Sequence, residues 1–201
     1  MEGVLRKILA LIILILVVLV YFAVFQIQPE QKPLGQSEAT EFVLADLKTL
    51  TEKGADARVV ETRKTDGTWE VDVLITQNPH SPCPTLSKRY YKLMPFSFRP
   101  EPIISNCNYH KGLLVHREEA LINSAQIPAI YSFLAPASDA YGCAFKISAF
   151  DEKSALDYCK ELDLNAFYSF SQNLKPDDWV VMWRALGKTA LYALDSFGRL
   201  I

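Results

Sequence analysis

The sequence lacks the motifs by which most hydrolases and nucleotide-binding proteins are recognised. Only three histidines occur, and none accompanies a G-x-S-x-G turn or a reactive cysteine, so a catalytic triad or dyad is not indicated. A glycine-rich phosphate loop is also missing, which argues against a P-loop nucleotide site. From these absences we expect no catalytic residues and no cofactor.

Clusters of positive charge are missing as well. The chain has 21 Lys and Arg against 23 Asp and Glu, a formal net charge of −2, and its basic residues form no stripe or block. Nucleic-acid-binding proteins carry such a stripe to match the phosphate backbone. The sequence therefore predicts that nucleic acid is not a partner.

Charge is absent altogether from one long segment near the N-terminus. Residues 8–25 form an unbroken apolar run, ILALIILILVVLVYFAVF, and no charge follows until Glu30. At about 1.5 Å per residue, a helix of about 18 to 20 residues spans a hydrocarbon core of roughly 30 Å. A cleaved signal peptide has a shorter apolar region and a small-x-small site, whereas Ala23 here follows Tyr21. Residues 8–27 are therefore predicted to be an uncleaved transmembrane signal anchor in the lipid bilayer.

The flanking charges predict the orientation of this anchor. Arg6 and Lys7 precede it, while the first basic residue after it is Lys32. The positive-inside rule then keeps residues 1–7 in the cytoplasm as a short tail and exports everything after the anchor. We expect a single-pass protein of the cell membrane with an extracytoplasmic C-terminal domain.

A linker and a first unit of helix and strands follow the anchor. Residues 28–36 (QPEQKPLGQ) contain two prolines and a glycine and are predicted to be the linker. Residues 37–110 are predicted to be a first helix-plus-meander unit, in which Ser37 caps the helix and Gly54 follows its end. The alternation of apolar residues predicts strands at 57–64, 69–76, 85–94 and 96–105.

Residues 111–201 are predicted to be a second unit. Its pattern predicts helices at 117–125 and 151–162, and 127–134 is compatible with a helix or a buried strand. Strands are predicted at 144–150, 166–171, 179–185 and 189–195.

The two units follow a similar order of elements. A helix, a strand, a turn and two further strands occur in each, with Trp69 and Trp179 at equivalent positions. This order indicates either a duplication of one helix-plus-meander unit or a chance recurrence of a common arrangement. Both alternatives predict an α+β fold in which antiparallel sheets pack on helices.

The C-terminal stretch resembles PepSY modules. Residues 179–183 (WVVMW), a Gly-Lys turn, 190–195 (ALYALD) and 198–201 (GRLI) are similar to the W-x-V strand, turn, Y-x-x-D-type strand and G-x-hydrophobic finish of those modules. Residues 117–121 (REEAL) resemble the E-E-A opening of their helix, and a long insertion then departs from the pattern. PepSY modules are extracytoplasmic and are thought to bind or restrain peptidases and other exported proteins. The resemblance therefore implies a binding module and supplies no catalytic residues.

The cysteine pattern predicts disulfides. All four cysteines lie in the part predicted to be exported, where an even count favours bonded pairs. His80-x-x-Cys83 and Cys107-x-x-His110 are mirror images about Pro95, so a chain reversal there would bring Cys83 and Cys107 together. The alternative is a zinc site formed by His80, Cys83, Cys107 and His110.

The second cysteine pair is less regular. An ideal antiparallel strand and helix would leave Cys143 and Cys159 about 10 Å out of register. We expect them to bond if the chain bends at Gly142, and crossed pairing with Cys83 and Cys107 is the alternative.

Two further groups of residues have a structural interpretation beside a functional one. Glu118 and Glu119 could form a carboxylate pair, but neighbours on a helix point apart, so a solvated face is expected. Five aromatic residues could line a ligand groove or, as is more common, fill a core between sheet and helix. These are Tyr168, Phe170, Trp179, Trp183 and Tyr192.

Taken together, these features predict a membrane-anchored, extracytoplasmic, non-catalytic binding module that binds or restrains exported proteins or peptidases. The alternative is a structural or accessory subunit of a membrane or envelope complex, with the membrane helix as its main contact. In both cases the expected partners are the lipid bilayer, through residues 8–27, and a protein or peptide outside the cytoplasm.

Overall fold

The computed structural model describes Ile15 and residues 34–201. The chain divides into two compact units, Met1–Glu38 and Ala39–Ile201. The predicted cytoplasmic tail and anchor lie outside the described residues apart from Ile15. Among the helices that are described, none combines the length and the apolar character needed to cross a membrane.

The first half of the described chain is one helix and a four-stranded antiparallel meander. Its elements are α1 (Gln36–Thr51), β1 (Asp56–Thr65), β2 (Thr68–Gln77), β3 (Thr85–Leu93) and β4 (Phe96–Ile104), with the strands side by side in chain order. The strands agree with the predicted ones to within one residue at each end.

Helix α1 covers one face of this sheet. Its buried residues Ala39, Val43 and Leu47 recur every four positions and so form a single stripe. The Tyr91 hydroxyl donates to Asp46 Oδ2 at 2.9 Å, which joins the sheet to the helix. The opposite face of the sheet carries the charged side chains of β2, as its alternation predicts.

One predicted cap is wrong. Helix α1 already begins at Gln36, so Ser37 lies inside its first turn instead of preceding the helix. Gly35 directly precedes the helix, and its N–H donates to the carboxylate of Glu38, the third helical residue, at 2.7 Å, as in one half of a capping box. At the other end, Gly54 has a φ of 87°, the left-handed conformation predicted for it.

The second half contains four helices and a three-stranded antiparallel sheet. Its elements are α2 (Arg117–Ala125), α3 (Pro128–Leu134), β5 (Tyr141–Lys146), a short 3-10 helix (Ile147–Ala149), α4 (Glu152–Tyr158), α5 (Leu164–Ser171), β6 (Trp179–Ala185) and β7 (Lys188–Leu194). The strand order is β5-β6-β7.

Helices cover both faces of this second sheet. On one face, Val181 and Trp183 pack in a core with residues of α2 and α3. On the other, Val180 and Met182 pack with residues of α4 and α5. Strand β6 is therefore buried on both sides, which explains why its sequence is a continuous apolar run.

Three predictions for this half need correction. Residues 166–171 are not a strand but part of α5, because the Asp163 side chain caps the helix by accepting the N–H groups of Asn165 and Ala166. The strand predicted at 144–150 ends at Lys146, and the helix predicted to reach residue 162 ends at Tyr158.

The α+β fold with two antiparallel sheets and helices is confirmed. The proposed correspondence between the two units fails at α5, which stands where the correspondence requires a strand. The second sheet instead takes its remaining strand from β5, which precedes α4 and α5 in the chain.

Candidate functional site

A groove of about 280 Å³ lies along the edge of the second sheet. It is bounded by the start of α2, by β5, by α4 and by one side chain of β1. The residues that line it are Arg58, Val115, His116, Arg117, Ala144, Phe145, Lys146, Ala149, Phe150, Asp151, Ser154, Ala155, Tyr158 and Trp179. Its volume is close to the lower limit of about 300 Å³ for small-molecule sites, so it suits a short segment of a ligand.

Strand β5 contributes its outer edge to this groove, where Ala144 is only 2% exposed. Among the described strands, it pairs only with β6. Gly142 N–H donates to the His80 carbonyl at 2.7 Å, away from β6. Since backbone groups alternate in direction along a strand, the N–H and C=O of Ala144 and the N–H of Lys146 also point away from β6. These three groups have no hydrogen-bond partner within the part of the chain that the structure describes.

His80 occupies the neighbouring position on the same edge. Its Nδ1 lies 3.0 Å from the Gly142 carbonyl, and because a carbonyl only accepts, Nδ1 carries the proton. The imidazole stacks between Tyr141 and Tyr158, at centroid distances of 4.3 and 4.8 Å. Burial lowers the pKa of His80, although the bond to Gly142 partly opposes the shift. At Gly142, therefore, a neutral His80 completes the edge as a partner strand would.

A buried carboxylate holds the first sheet against α2 beside the groove. Glu118 is 0% exposed, and its Oε1 accepts hydrogen bonds from Arg58 (2.9 Å), Arg117 (3.2 Å) and Thr76 (2.7 Å). Burial alone would raise the pKa of this carboxyl, but the two guanidinium groups and the Thr76 hydroxyl together hold it below its usual value.

The solvated face predicted for Glu118 and Glu119 is therefore wrong for both residues. Glu118 inserts between α2 and strands β1 and β2. Glu119 accepts the N–H groups of Val115 and His116, at 2.7 and 2.9 Å, and so caps the helix.

Arg117 and Tyr158 line the groove and stack on each other. The Arg117 guanidinium lies 3.6 Å from the centroid of the Tyr158 ring and also pairs with Asp56. The Tyr158 hydroxyl donates to the Pro79 carbonyl at 3.3 Å, and burial raises the pKa of this phenol. Because each guanidinium has a carboxylate partner, the groove wall is polar with its positive charge compensated.

The predicted disulfides form. Cys83 is bonded to Cys107, with Cα atoms 5.2 Å apart, and the chain reverses at Met94–Pro95 between β3 and β4, as the symmetry of the motif predicted. His80 and His110 do not join them, because His110 lies beside Glu119 instead. No group of three or more potential metal-ligating side chains occurs among the described residues, so the alternative zinc set is not assembled.

Cys143 is bonded to Cys159, with Cα atoms 6.0 Å apart. The predicted mismatch in register disappears because β5 ends at Lys146. About 10 Å of strand then lies opposite about 10 Å of helix.

The five candidate groove aromatics do not form one site. Trp179 and Trp183 are buried in the core between the sheet and α2, where Tyr192 also packs. Tyr168 and Phe170 are exposed on α5. Of the five, only Trp179 lines the groove at β5. Sequence reasoning missed this groove because its walls come from segments that are far apart in the chain, from Arg58 to Trp179.

No protein-family model matches the chain, and neither a curated protein nor a solved structure is significantly similar to it. The PepSY resemblance therefore stays a prediction. The function has to be argued from the geometry of the groove.

Proposed function

We propose that this protein is a membrane-anchored, extracytoplasmic binding module that holds an extended peptide segment of another exported protein at the outer edge of β5, where no described strand pairs. The observation that carries this proposal is the set of unpaired backbone groups at Ala144 and Lys146, two residues that line the groove. Such groups are satisfied when another strand is added to the sheet, and main-chain bonds then supply much of the affinity.

The contacts of His80 support strand addition. Its carbonyl and its imidazole together pair both outward groups of Gly142. A peptide that follows the same line would meet Ala144 and Lys146 next, two and four residues along the strand. The groove thus extends a pairing that the chain has already begun with its own residue.

The walls of the groove indicate the chemistry of the ligand. Arg58 and Arg117 are compensated by Glu118 and Asp56, so no strong preference for an acidic peptide is expected. Phe150 and Ala155 line the side formed around α4 and favour a small or apolar side chain. The ligand class is therefore a short extended segment recognised mainly through its backbone.

The extracytoplasmic location and the anchor are inferred from the sequence. The apolar run at residues 8–25 and the basic residues before it support the anchor and its orientation. The two disulfides suit an oxidising compartment. The PepSY-like C-terminal stretch supports a binding role without catalysis.

Selection of peptides on the full chain in lipid nanodiscs tests this function. A random peptide library displayed on phage is selected against the loaded discs and counter-selected against empty ones. We expect the enriched peptides to slow hydrogen exchange at the Ala144 and Lys146 N–H groups by at least about tenfold, because each would become a hydrogen-bonded amide.

Two matched pairs of variants isolate the edge. Ala144→Pro and Lys146→Pro each remove an outward N–H that the β6 ladder does not use, and edge strands tolerate proline at such positions. Because Ala144 packs in the core, thermal unfolding is measured on both variants to show that they are folded. Ala144→Gly and Lys146→Ala keep the N–H at the same positions. Peptide affinity should fall at least about tenfold in the proline variants and change little in the controls.

Equal affinity in all four variants would contradict strand addition. If the loaded discs enrich no peptide over empty discs, the binding function itself fails. The alternative of an accessory subunit whose membrane helix makes the main contact would then take its place.

A further inference from the structure

A cluster of exposed apolar side chains lies at one end of the first sheet. Phe42, Met94, Phe96 and Phe98 are 51%, 53%, 46% and 46% exposed, and these four residues are called the apolar tip. The rings of Phe42 and Phe96 are 5.4 Å apart, and the buried Tyr91 contacts both Phe96 and Phe98. A contiguous apolar patch of this kind on a protein surface indicates an interaction site.

The apolar tip lies at the end of the sheet where the chain enters the fold. Helix α1 runs antiparallel to β1, since the Thr40 hydroxyl, near the start of the helix, is 3.1 Å from that of Thr62, near the end of the strand. The β1–β2 and β3–β4 turns are both at this end of the sheet, because the Thr68 hydroxyl donates to the Met94 carbonyl at 3.4 Å. The start of α1, the two turns and the apolar tip are therefore neighbours.

The length of chain before α1 indicates what covers the tip. Residues 28–35 separate the predicted anchor from α1, which begins at Gln36. Eight residues span at most about 28 Å when fully extended, which is less than the roughly 40 Å diameter of a compact domain of this size. The chain between the predicted anchor and α1 is therefore too short to reach around a domain of this size, which favours the bilayer as the surface that covers the tip.

The chemistry of the tip suits the interfacial region of a membrane. Aromatic and methionine side chains supply apolar contact there, and lysines beside them extend toward lipid headgroups. Lys64 and Lys92 lie on the strands that lead into the two turns, and both are exposed. Lys64 Nζ also lies 5.7 Å from the centroid of the Trp69 ring.

We propose that the apolar tip inserts into the interfacial region of the bilayer that holds the anchor. This inference rests on the membrane anchor of the proposed function and is independent of peptide binding. Contact at the tip adds a second attachment to the linker and so fixes the tilt of the first sheet against the membrane surface.

Methionine methyl NMR on the full chain in nanodiscs tests the contact. The chain has three methionines, of which Met94 is in the tip and Met182 is buried in the second sheet. The discs contain phosphatidylcholine and phosphatidylglycerol with a nitroxide on the acyl chain near the glycerol. A second sample replaces this label with a water-soluble gadolinium chelate.

Insertion predicts opposite responses to the two probes. The acyl-chain nitroxide should reduce the Met94 methyl signal several-fold relative to Met182, whereas the soluble chelate should leave both signals nearly unchanged. A tip that is only near the membrane would be broadened by the soluble chelate. A tip covered by a second copy of the chain would respond to neither probe. Either of these two results would overturn the proposal.

Variants at the tip provide the matched control. Replacing Phe42 and Phe96 with serine should restore the response of Met94 to the soluble chelate. Leu186→Ser, at the exposed β6–β7 turn, should leave the wild-type response. If full-length protein separates from the discs on flotation, the anchor itself has failed. If it stays with the discs while Met94 ignores the nitroxide, the anchor stands and the tip contact alone is wrong.

Discussion

The two sheets differ in how completely helices cover their faces. The first sheet packs one face against α1. Its other face meets α2 at Arg58 and Thr76 and otherwise carries ion pairs, in which Arg63 meets Glu61, Glu70 and Asp72. The second sheet is buried on both faces between pairs of helices. Stability should therefore be concentrated in the second half, while the first half offers exposed surface. Four comparisons between matched residues follow from this difference.

The largest effect is expected from a tryptophan in each sheet. Trp183 is fully buried and donates a hydrogen bond to Ser124 Oγ at 2.9 Å. Trp183→Ala should lower the free energy of unfolding by about 3–5 kcal/mol, as truncation of a large core side chain usually does. Trp69→Ala, at a half-buried position of β2, should lose less than half of that. Chemical denaturation measures both, and equal losses would show that the two sheets do not differ in this way.

Removal of each disulfide should have the next largest effect. Loops of this length stabilise by roughly 3 kcal/mol in the chain-entropy treatment. Because the Cys143 and Cys159 side chains are also fully buried in a core, their double alanine variant should lose more than the Cys83 and Cys107 variant. Thermal unfolding with reductant checks the order, and a chelator should change neither melting temperature. A melting temperature that falls when chelator is added would support the zinc alternative.

The third largest loss of stability is expected from replacing the buried carboxylate of Glu118. Glu118→Gln keeps the shape of the side chain but leaves the two guanidinium groups with Asp56 as their shared carboxylate partner, which should cost about 2 kcal/mol or more. Because the folded pKa of Glu118 lies below its unfolded value, its stabilising effect is complete above the unfolded pKa and is lost as the pH falls through the folded pKa. Unfolding measured from pH 7 downward should show a wild-type loss that is smaller in Glu118→Gln. Parallel pH profiles would exclude this role.

The smallest effect is expected from Asp72, a buried carboxylate (3% exposed) on the face of the first sheet opposite α1. Asp72 pairs with Lys88 at 2.9 Å and with Arg63 at 3.4 Å, and both cations are partly exposed to water. Asp72→Asn should therefore destabilise less than Glu118→Gln, and its effect should shrink as salt is added. A loss that does not depend on salt would mean that these ion pairs act as a buried network.

The sequence predicts those elements whose pattern is local. The alternation of apolar and polar residues predicts β2, since only one of its faces packs against α1. A continuous apolar run predicts β6. Helix α2 is also predicted correctly at both ends. The pairing of Cys83 with Cys107 follows from the symmetry of their motif, and the pairing of Cys143 with Cys159 follows from their proximity in the chain.

Features made by distant segments could not be predicted. The buried state of Glu118 depends on Arg58 and Thr76, which are 60 and 42 residues away. The sequence predicts a strand at α5 because aromatic residues favour strands. The Asp163 cap favours a helix instead, and both edges of β6 are already paired, with β5 and β7. The groove at β5 likewise depends on the position of the first sheet, which contributes Arg58 to its lining.

The order of the disulfides along the chain has a consequence for how the protein matures. The bonds join Cys83 to Cys107 and Cys143 to Cys159, so one loop closes completely before the other begins. A chain that emerges N-terminus first presents each cysteine pair in turn, and domains tend to fold in that order. Simple sequential oxidation therefore gives the native pairing, and no bond has to be broken by an isomerase for the next to form.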